Sequence, residues 1–395
     1  MERTELSKLL RSTGCAEGRN GFTFLCDPAW GAAERAAVAS IQQSKIEPAL
    51  PSLGEGGNPK SKIDDGWLCV PTGGTSGGVR FARHDERTLS AAVEGFCAHF
   101  GLERVNAVGV LPPHHVSGLM ARVRSAATGG EYLAAEWKTI EAGRRPVLSA
   151  ASWVISLVPT QLQRLLLSPD AVVWLRGFRV IFVGGGPVWP ELADAAARAE
   201  LPVSLSYGMT ETAAMVAALR PAEFLAGDRS SGPALPHTRI AIDGEGVIRI
   251  AGESVFRGYF PGESAAREFI TEDLGQLDER GRLQVLGRRD AVIITGGKKV
   301  QPAEVEAALR ASGEFTDVGV VGLPDPEWGQ TVMACYPAGE KEPDQARLTA
   351  ALAGLTAFKR PKHYVAVPDW PRSAQGKLNR AALLAAGRQQ LKSES

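Results

Sequence analysis

Short apolar runs alternate with amphipathic stretches through the first half of the chain. The runs at 106–111, 153–158 and 180–183 have the length of buried strands, whereas 159–167 and 190–200 carry apolar residues at helical spacing. This alternation lasts to about residue 220 and predicts a layered α/β unit. Within it, 201–205 alternates as a strand end, and the Ala-rich stretch after Glu211 predicts a helix. From about 232 to 287, strand-like segments at 239–242, 247–250 and 283–285 are separated by the turns Asp243-Gly244 and Arg280-Gly281. That region should be mostly strands and turns. Beyond Gly287-Arg288-Arg289-Asp290 the order becomes strand, Gly-Gly turn, helix, strand and later helix, a compact α+β unit. Two domains are therefore expected, 1–289 and 290–395, with the boundary at Asp290. Residues 48–65, rich in Gly, Pro, Ser and Lys, read as an exposed connection, and 388–395 as a polar, frayed end. No fixed-period repeat is present.

Composition narrows the class without naming it. A chain of 395 residues exceeds the size at which one core keeps growing, in agreement with two domains. Its formal net charge is zero, which gives no sign of a nucleic-acid-binding surface. The five cysteines are odd in number, widely spaced and free of Cys-x-x-Cys pairs, so neither a disulfide framework nor a zinc site is suggested. The charged start, Met1 to Glu5, lacks an apolar signal region, and no stretch reaches the roughly 18 apolar residues of a membrane span. A cytoplasmic protein without membrane insertion is expected, acting on small molecules; homo-oligomerisation is left open.

The candidate chemistry begins at Pro71-Thr72-Gly73-Gly74-Thr75-Ser76-Gly77-Gly78-Val79-Arg80. Glycines let backbone N–H groups approach phosphate oxygens, hydroxyls add donors, and Arg80 supplies positive charge. The loop departs from the Walker pattern because Val79-Arg80 stands where Lys-Ser/Thr would be, and a flexible surface turn is the competing reading. A second element, Ser206-Tyr207-Gly208-Met209-Thr210-Glu211, sets a hydroxyl beside a carboxylate at a strand end. Thr210 could donate to a phosphate and Glu211 could hold Mg²⁺; Thr210 as a helix N-cap is the alternative. A third pairs Asp273 with Arg288, suited to ribose hydroxyls or to an ordinary turn and surface ion pair. A fourth, residues 371–380, is a polar loop presenting Lys377, whose plain alternative is solvation.

Taken in order, TGGTSGGVRF, PHHVSG, GGGP, SYGMTE, GESVFRGYF, TEDLGQLDERGRLQVLGRRD, GGKKVQPAEVE and RSAQGKLNR resemble the adenylate-forming superfamily of acyl–CoA synthetases, luciferases and peptide-synthetase adenylation domains. The resemblance runs from about residue 67 to about 380. It implies a large layered α/β domain with a β-rich subdomain and a small, mobile α+β C-terminal domain. It assigns Thr72, Gly73, Gly74, Thr75, Ser76, Gly77 and Arg80 to the ATP phosphates, and Gly185, Gly186 and Pro187, beside Gly184, to the adenine. Within Ser206, Tyr207, Gly208 and Met209, also assigned to the nucleotide, Tyr207 would stack on adenine. Thr210 would meet the α-phosphate, Glu211 would bind Mg²⁺, and Asp273 and Arg288 would hold the ribose. Lys377 would neutralise charge as an acyl–AMP bond forms. Asp290 would be the hinge, and Gly296-Gly297-Lys298 would face the CoA tunnel after rotation.

Within the superfamily the stretches 114–118 and 156–166 look most like the o-succinylbenzoate–CoA ligases of menaquinone and phylloquinone biosynthesis. The resemblance then implies ATP, Mg²⁺ and coenzyme A as cofactor and co-substrates. It places His115 and Ser117 by the acyl pocket, with Arg124, or its neighbour Arg122, as the cation for the far carboxylate. A core histidine and a solvent-facing arginine are the competing readings. A ligase for another aromatic or aliphatic acid and a catalytically idle nucleotide-binding scaffold are the alternative functions. Three departures stand out: little chain precedes the phosphate loop, Arg80 replaces the usual lysine, and Glu272 replaces the usual glycine before the ribose aspartate.

Overall fold

The computed structural model describes residues 2–43, 66–73, 79–148, 152–262, 268–339, 342–372 and 378–393. Its first sheet joins β1 (Ala16–Arg19), β2 (Phe22–Leu25), β3 (Leu68–Gly73) and β4 (Val79–His84) in that order, flanked by α1 (Arg3–Arg11) and α2 (Ala32–Gln43). Strands β3 and β4 form an antiparallel pair in which Thr72 faces Arg80.

The chain then enters α3 (Glu86–Phe100), β5 (Asn106–Gly109), α4 (Val116–Ala127), β6 (Tyr132–Ala134) and α5 (Trp137–Glu141). It continues through β7 (Trp153–Leu157), α6 (Pro159–Leu166), α7 (Pro169–Arg176), β8 (Val180–Val183), α8 (Pro190–Arg198) and β9 (Val203–Met209). The six-stranded sheet they build has the order β10-β9-β8-β7-β5-β6, where β10 is Ala214–Ala218. Its apolar runs are continuous because both faces are covered. Val154, Val180 and Phe182 pack with Phe96 and Ala121 on the α3/α4 side, while Ile155, Ile181 and Val183 meet Leu162, Leu175 and Leu192 on the α6–α8 side.

The Ala-rich stretch after Glu211 is a strand, not the expected helix. Ala213 and Ala214 take left-handed conformations, with φ of 52° and 78°, and turn the chain back so that β10 runs antiparallel to β9. All five β10 residues are buried, Met215 and Ala218 against one core cluster and Val216 and Ala217 against another. Burial on both faces overrides the helical propensity of alanine. A short helix α9 (Pro221–Leu225) follows.

A four-stranded meander comes next: β11 (Thr238–Ile242), β12 (Val247–Gly252), β13 (Glu268–Leu277) and β14 (Leu283–Arg288). Glu272 and Asp273 lie within strand β13, so the glutamate that replaces glycine is accommodated in a ladder. The final sheet begins at β15 (Ile293–Thr295) and β16 (Lys298–Val300), and takes β17 (Gly319–Asp325), β18 (Gly329–Pro337) and β19 (His363–Val367). Helices α10 (Pro302–Ala311) and α11 (Gln345–Ala351) cover one face through Val305, Leu309 and Leu348; α12 (Arg380–Ser393) covers the other through Leu383.

Candidate active site

Strands β5, β7, β8 and β9 run parallel, so the segments that follow them emerge at one edge of the sheet. In open α/β sheets that edge is where ligands bind. The turn after β8 carries Gly184, Gly185, Gly186 and Pro187, the last three exposed. A side chain at Gly184 would come within 2.8 Å of the Ser206 hydroxyl, which itself donates to the Val183 carbonyl at 3.3 Å. Glycine there lets β8 and β9 stay in register up to the edge.

Glu211, in the short 3₁₀ turn Thr210–Thr212, is the centre of the first constellation. Its carboxylate is only 6% exposed and one oxygen accepts two hydroxyls, Tyr259 at 2.8 Å and Thr72 at 3.2 Å. Among the described residues no lysine or arginine pairs with it; the Arg80 guanidinium lies over the Tyr259 ring at 4.2 Å. Burial, with Glu211 beside it, raises the Tyr259 phenol pKa, so this hydroxyl remains a donor. The turn is anchored from below by His84, whose Nε2 lies 2.7 Å from the Thr210 carbonyl and whose Nδ1 is 3.1 Å from the Thr88 hydroxyl. Burial lowers the His84 pKa to about 4, which leaves it neutral and able to donate one proton to that carbonyl. Glu211 thus combines a buried negative charge with hydroxyl neighbours and no cation, a donor set that suits a hard divalent ion such as Mg²⁺.

The second constellation is held by pairing across strands. Asp273 on β13 faces Arg288 on β14, with Nη1 3.6 Å from one carboxylate oxygen, while Tyr207 on β9 donates to the other at 2.7 Å. Arg288 also forms a two-pronged hydrogen bond to Asp290 at 2.9 and 2.7 Å. Its neighbour Arg289 grips Glu272 in the same way, at 3.1 and 2.9 Å, giving the substituted glutamate its partner. Met209, Gly208 and Ser206 complete β9; a side chain at Gly208 would meet the Ala214 carbonyl at 1.9 Å.

His115 is the residue preceding helix α4, and Ser117 lies in its first turn, at the same sheet edge as the β8 glycines. The two histidine rings, His114 and His115, meet edge to face at 4.2 Å. Arg124 is separated from them: nine residues along α4, it sits roughly 13 Å farther down the helix axis. It is 4% exposed, with its guanidinium over the Phe96 ring at 4.0 Å, and burial lowers its pKa to about 10, leaving it cationic at neutral pH. Arg122 instead lies over the Tyr132 ring at 4.4 Å.

Gly296 and Gly297, with φ of 55° and 74°, form the hairpin turn between β15 and β16, and Lys298 Nζ lies 5.2 Å from the Phe358 ring centroid. Asp290 falls in the 3₁₀ turn Arg289–Ala291 between the third and fourth sheets. Gly74, Thr75, Ser76, Gly77 and Lys377 lie outside the described residues. Sequence reasoning did not single out Tyr259 or His84. The first stood inside the quoted GESVFRGYF stretch, and the second, between Arg83 and Asp85, carried no signal of its own.

Comparison with known proteins agrees with this geometry. Residues 27–260 match the AMP-binding enzyme family and residues 304–377 match the AMP-binding enzyme C-terminal domain. The 2-succinylbenzoate–CoA ligase of Bacillus licheniformis is 32% identical over 343 residues, covering 81% of this chain and 70% of that protein. That of Listeria innocua is 33% identical over 279 residues, covering 69% of this chain and 60% of that protein. Among solved structures, o-succinylbenzoate coenzyme A synthetase (MenE) of Bacillus subtilis in complex with ATP and magnesium aligns with a TM-score of 0.70 at 28% identity, covering 81% of this chain and 70% of that one. The same enzyme in complex with its acyl-adenylate intermediate aligns with a TM-score of 0.72 at 26% identity, covering 97% and 81%. The chain spans 60% of the Listeria protein and 70% of the Bacillus licheniformis one. No described helix is long and apolar enough to cross a membrane. On these matches and the two constellations of the sheet edge, the chain belongs to the AMP-binding enzyme family.

Proposed function

We propose that this chain is an ATP-dependent acid–CoA ligase that activates o-succinylbenzoate as its acyl-adenylate and transfers it to coenzyme A in the cytoplasm. The observation that carries the reading is the pair of carboxylates around the end of β9 with opposite surroundings: Glu211 among hydroxyls with no cation among the described residues, Asp273 between Tyr207 and Arg288. The relatives named above supply the acid, since two curated ones are 2-succinylbenzoate–CoA ligases.

The chemistry divides into two half-reactions because a carboxylate is a poor electrophile. The substrate carboxylate attacks the α-phosphorus of ATP and pyrophosphate leaves; the thiol of CoA then attacks the acyl carbon and AMP leaves. Glu211 would hold Mg²⁺, which shields phosphate charge when bound. Thr72 and Arg80 would steer the phosphates, Thr210 the α-phosphate, and Asp273 would accept the ribose hydroxyls in an orientation fixed by Tyr207 and Arg288. Lys377 would stabilise the developing charge in the first half-reaction, and Gly296-Gly297-Lys298 would line the path of CoA in the second, with Asp290 as the pivot.

The test is pyrophosphate release from MgATP with o-succinylbenzoate, with and without CoA, in the intact protein and in Lys377→Ala. Acid-dependent release that collapses in the variant, with thioester formed when CoA is present, is the expected result. ATP binding without release for this acid, but with release for another carboxylate, would replace the substrate; silence across a panel of acids would refute the ligase.

A further inference from the structure

Outside the nucleotide site, three side chains from the N-terminal segment and the start of α4 form a nucleophile, base and orienter. Cys15 Sγ lies 4.0 Å from His114 Nδ1, and His114 Nε2 lies 3.3 Å from Asp27 Oδ2. The second contact is an ion-pair approach in which Nε2 makes no hydrogen bond, so Asp27 acts on the ring through its charge. Asp27 is itself fixed, because its other oxygen accepts the Ala29 N–H at 2.9 Å. The carboxylate favours the tautomer with hydrogen on Nε2, which turns the bare lone pair of Nδ1 toward the Cys15 thiol. Cys15, His114 and Asp27 are 6%, 5% and 7% exposed. A second thiol faces the first. Ala16 pairs with Leu25, so the antiparallel register sets Cys15 opposite Cys26, and the Cys26 N–H donates to the Cys15 carbonyl at 2.8 Å. Directly opposed residues in such a ladder have Cα atoms about 5.5 Å apart and side chains on one face, within the range a disulfide spans. Both cysteines line a cavity of about 330 Å³, together with Asp27, Glu17 and Gln42.

We propose that Cys15 is a base-assisted nucleophile for small hydroperoxides, with His114 taking its proton and Cys26 as the resolving thiol. Cys15 sulfur attacks one peroxide oxygen, the O–O bond breaks, and the leaving oxygen takes the proton from His114 to depart as water or an alcohol. The resulting sulfenic acid is attacked by Cys26 sulfur; an S–S bond forms and water leaves. Two thiols are oxidised and one hydroperoxide is reduced. The cavity is open enough for a hydroperoxide to reach the two thiols from solvent. Burial raises the thiol pKa of both cysteines, that of Cys26 to about 12, so neither reacts as a free thiolate near neutrality and assistance from a base decides which one does. Cys15 faces His114 and the Thr13 carbonyl, which lies 3.6 Å from its sulfur, with Asp27, Cys26 and the positive Arg122 nearby, while Glu17 and Arg35 act on Cys26.

The experiment treats the reduced full chain with less than one equivalent of hydrogen peroxide and maps its cysteines by mass spectrometry. Arg19 lies between Cys15 and Cys26, so trypsin separates them and a bridge appears as two linked peptides lighter by two hydrogens. The expected result is that this bridge forms before oxidation of Cys97, the most exposed of the five cysteines, and that Cys26→Ser leaves a Cys15 sulfenic acid trapped by dimedone. His114→Gln should slow Cys15 oxidation by about 100-fold. Because that variant could lose its fold, the pH profile of the unaltered protein supplies a second reading. Burial lowers the His114 pKa, so the base-assisted rate should stay level down to pH 6.5, whereas a free thiolate would lose about tenfold per pH unit. Oxidation of Cys97 ahead of Cys15, or a rate that follows the thiolate line, would overturn the proposal.

Discussion

Replacing Tyr207 by phenylalanine and by alanine separates two jobs that one side chain is placed to do. The phenol donates to Asp273 at 2.7 Å, and the ring stands at the end of β9 beside the β8 glycine turn. A hydrogen bond to a charged group is worth about 1.5–3 kcal/mol. The Asp273 side chain is 14% exposed, which favours the lower value. If the phenol fixes the carboxylate for the ribose, Tyr207→Phe should weaken ATP binding by about tenfold, the equivalent of about 1.4 kcal/mol. Tyr207→Ala removes the ring as well, and stacking of a base on an aromatic ring is worth about 1–3 kcal/mol, a further 5- to 150-fold or so. Burial and the neighbouring Asp273 charge raise the phenol pKa, so the donor keeps its proton and the defect should be the same at pH 6.5 and 8.5. Calorimetric titration with ATP in the absence of acid, with melting curves to verify folding, measures both steps. A phenylalanine variant that binds like the unaltered protein would refute the orienting role, and equal affinities in the two variants would refute stacking.

Tyr259→Phe removes one of the two hydroxyl donors from Glu211; about 1 kcal/mol of lost orientation should raise the Mg²⁺ concentration for half-maximal pyrophosphate release roughly fivefold, and an unchanged Mg²⁺ titration would count against Glu211 as the metal ligand. His84 has a folded pKa of about 4, below its ordinary 6.5, so the unfolded chain takes the proton first as pH falls and stability is lost between pH 6.5 and 4. The loss approaches about 3 kcal/mol at the acid end, and urea midpoints should fall less steeply over that window in His84→Gln; parallel curves would remove His84 from the acid sensitivity. Gly118→Ala would set a methyl group 2.2 Å from the Pro112 carbonyl. A shift of backbone is then required, and urea denaturation should show a loss of about 1–3 kcal/mol, with no loss meaning that the 112–118 turn is looser than described.

The parts of this fold legible in the sequence are those where local pattern and tertiary setting agree. The runs at 153–158 and 180–183 read as strands because both faces of β7 and β8 are covered, which makes apolar residues obligatory at every position. The Ala-rich run after Glu211 is equally apolar, but its turn depends on left-handed Ala213 and Ala214, residues that carry no turn signature. Asp273 and Arg288 were identified as a pair although they are 15 positions apart, because a family pattern carried the register that local reasoning lacks. Tyr259 and His84 act through contacts to residues 48 and 126 positions away, and no local periodicity encodes such meetings. Arg124 stands near the histidine motif in the sequence, but helical geometry, which only the fold supplies, carries it roughly 13 Å along α4 and over Phe96.

The two site carboxylates illustrate how environment divides labour between identical groups. A buried carboxylate must be compensated, and the chain does this differently at each position. Among the described residues Glu211 receives only hydroxyl hydrogens, from Tyr259 and Thr72, which leaves its charge to attract a cation. Asp273 receives a phenol and shares a guanidinium, so its remaining acceptor capacity suits neutral hydroxyls such as those of a ribose. The guanidinium it shares is closer to Asp290, at 2.7 Å against 3.6 Å. Arg288 therefore joins Asp273 to the 3₁₀ turn between the third and fourth sheets. Arg289, within that turn, grips Glu272 in the same way, so two adjacent carboxylates of β13 are tied to the segment leading into the fourth sheet, and a ligand that draws on Asp273 would act on that segment through these pairs.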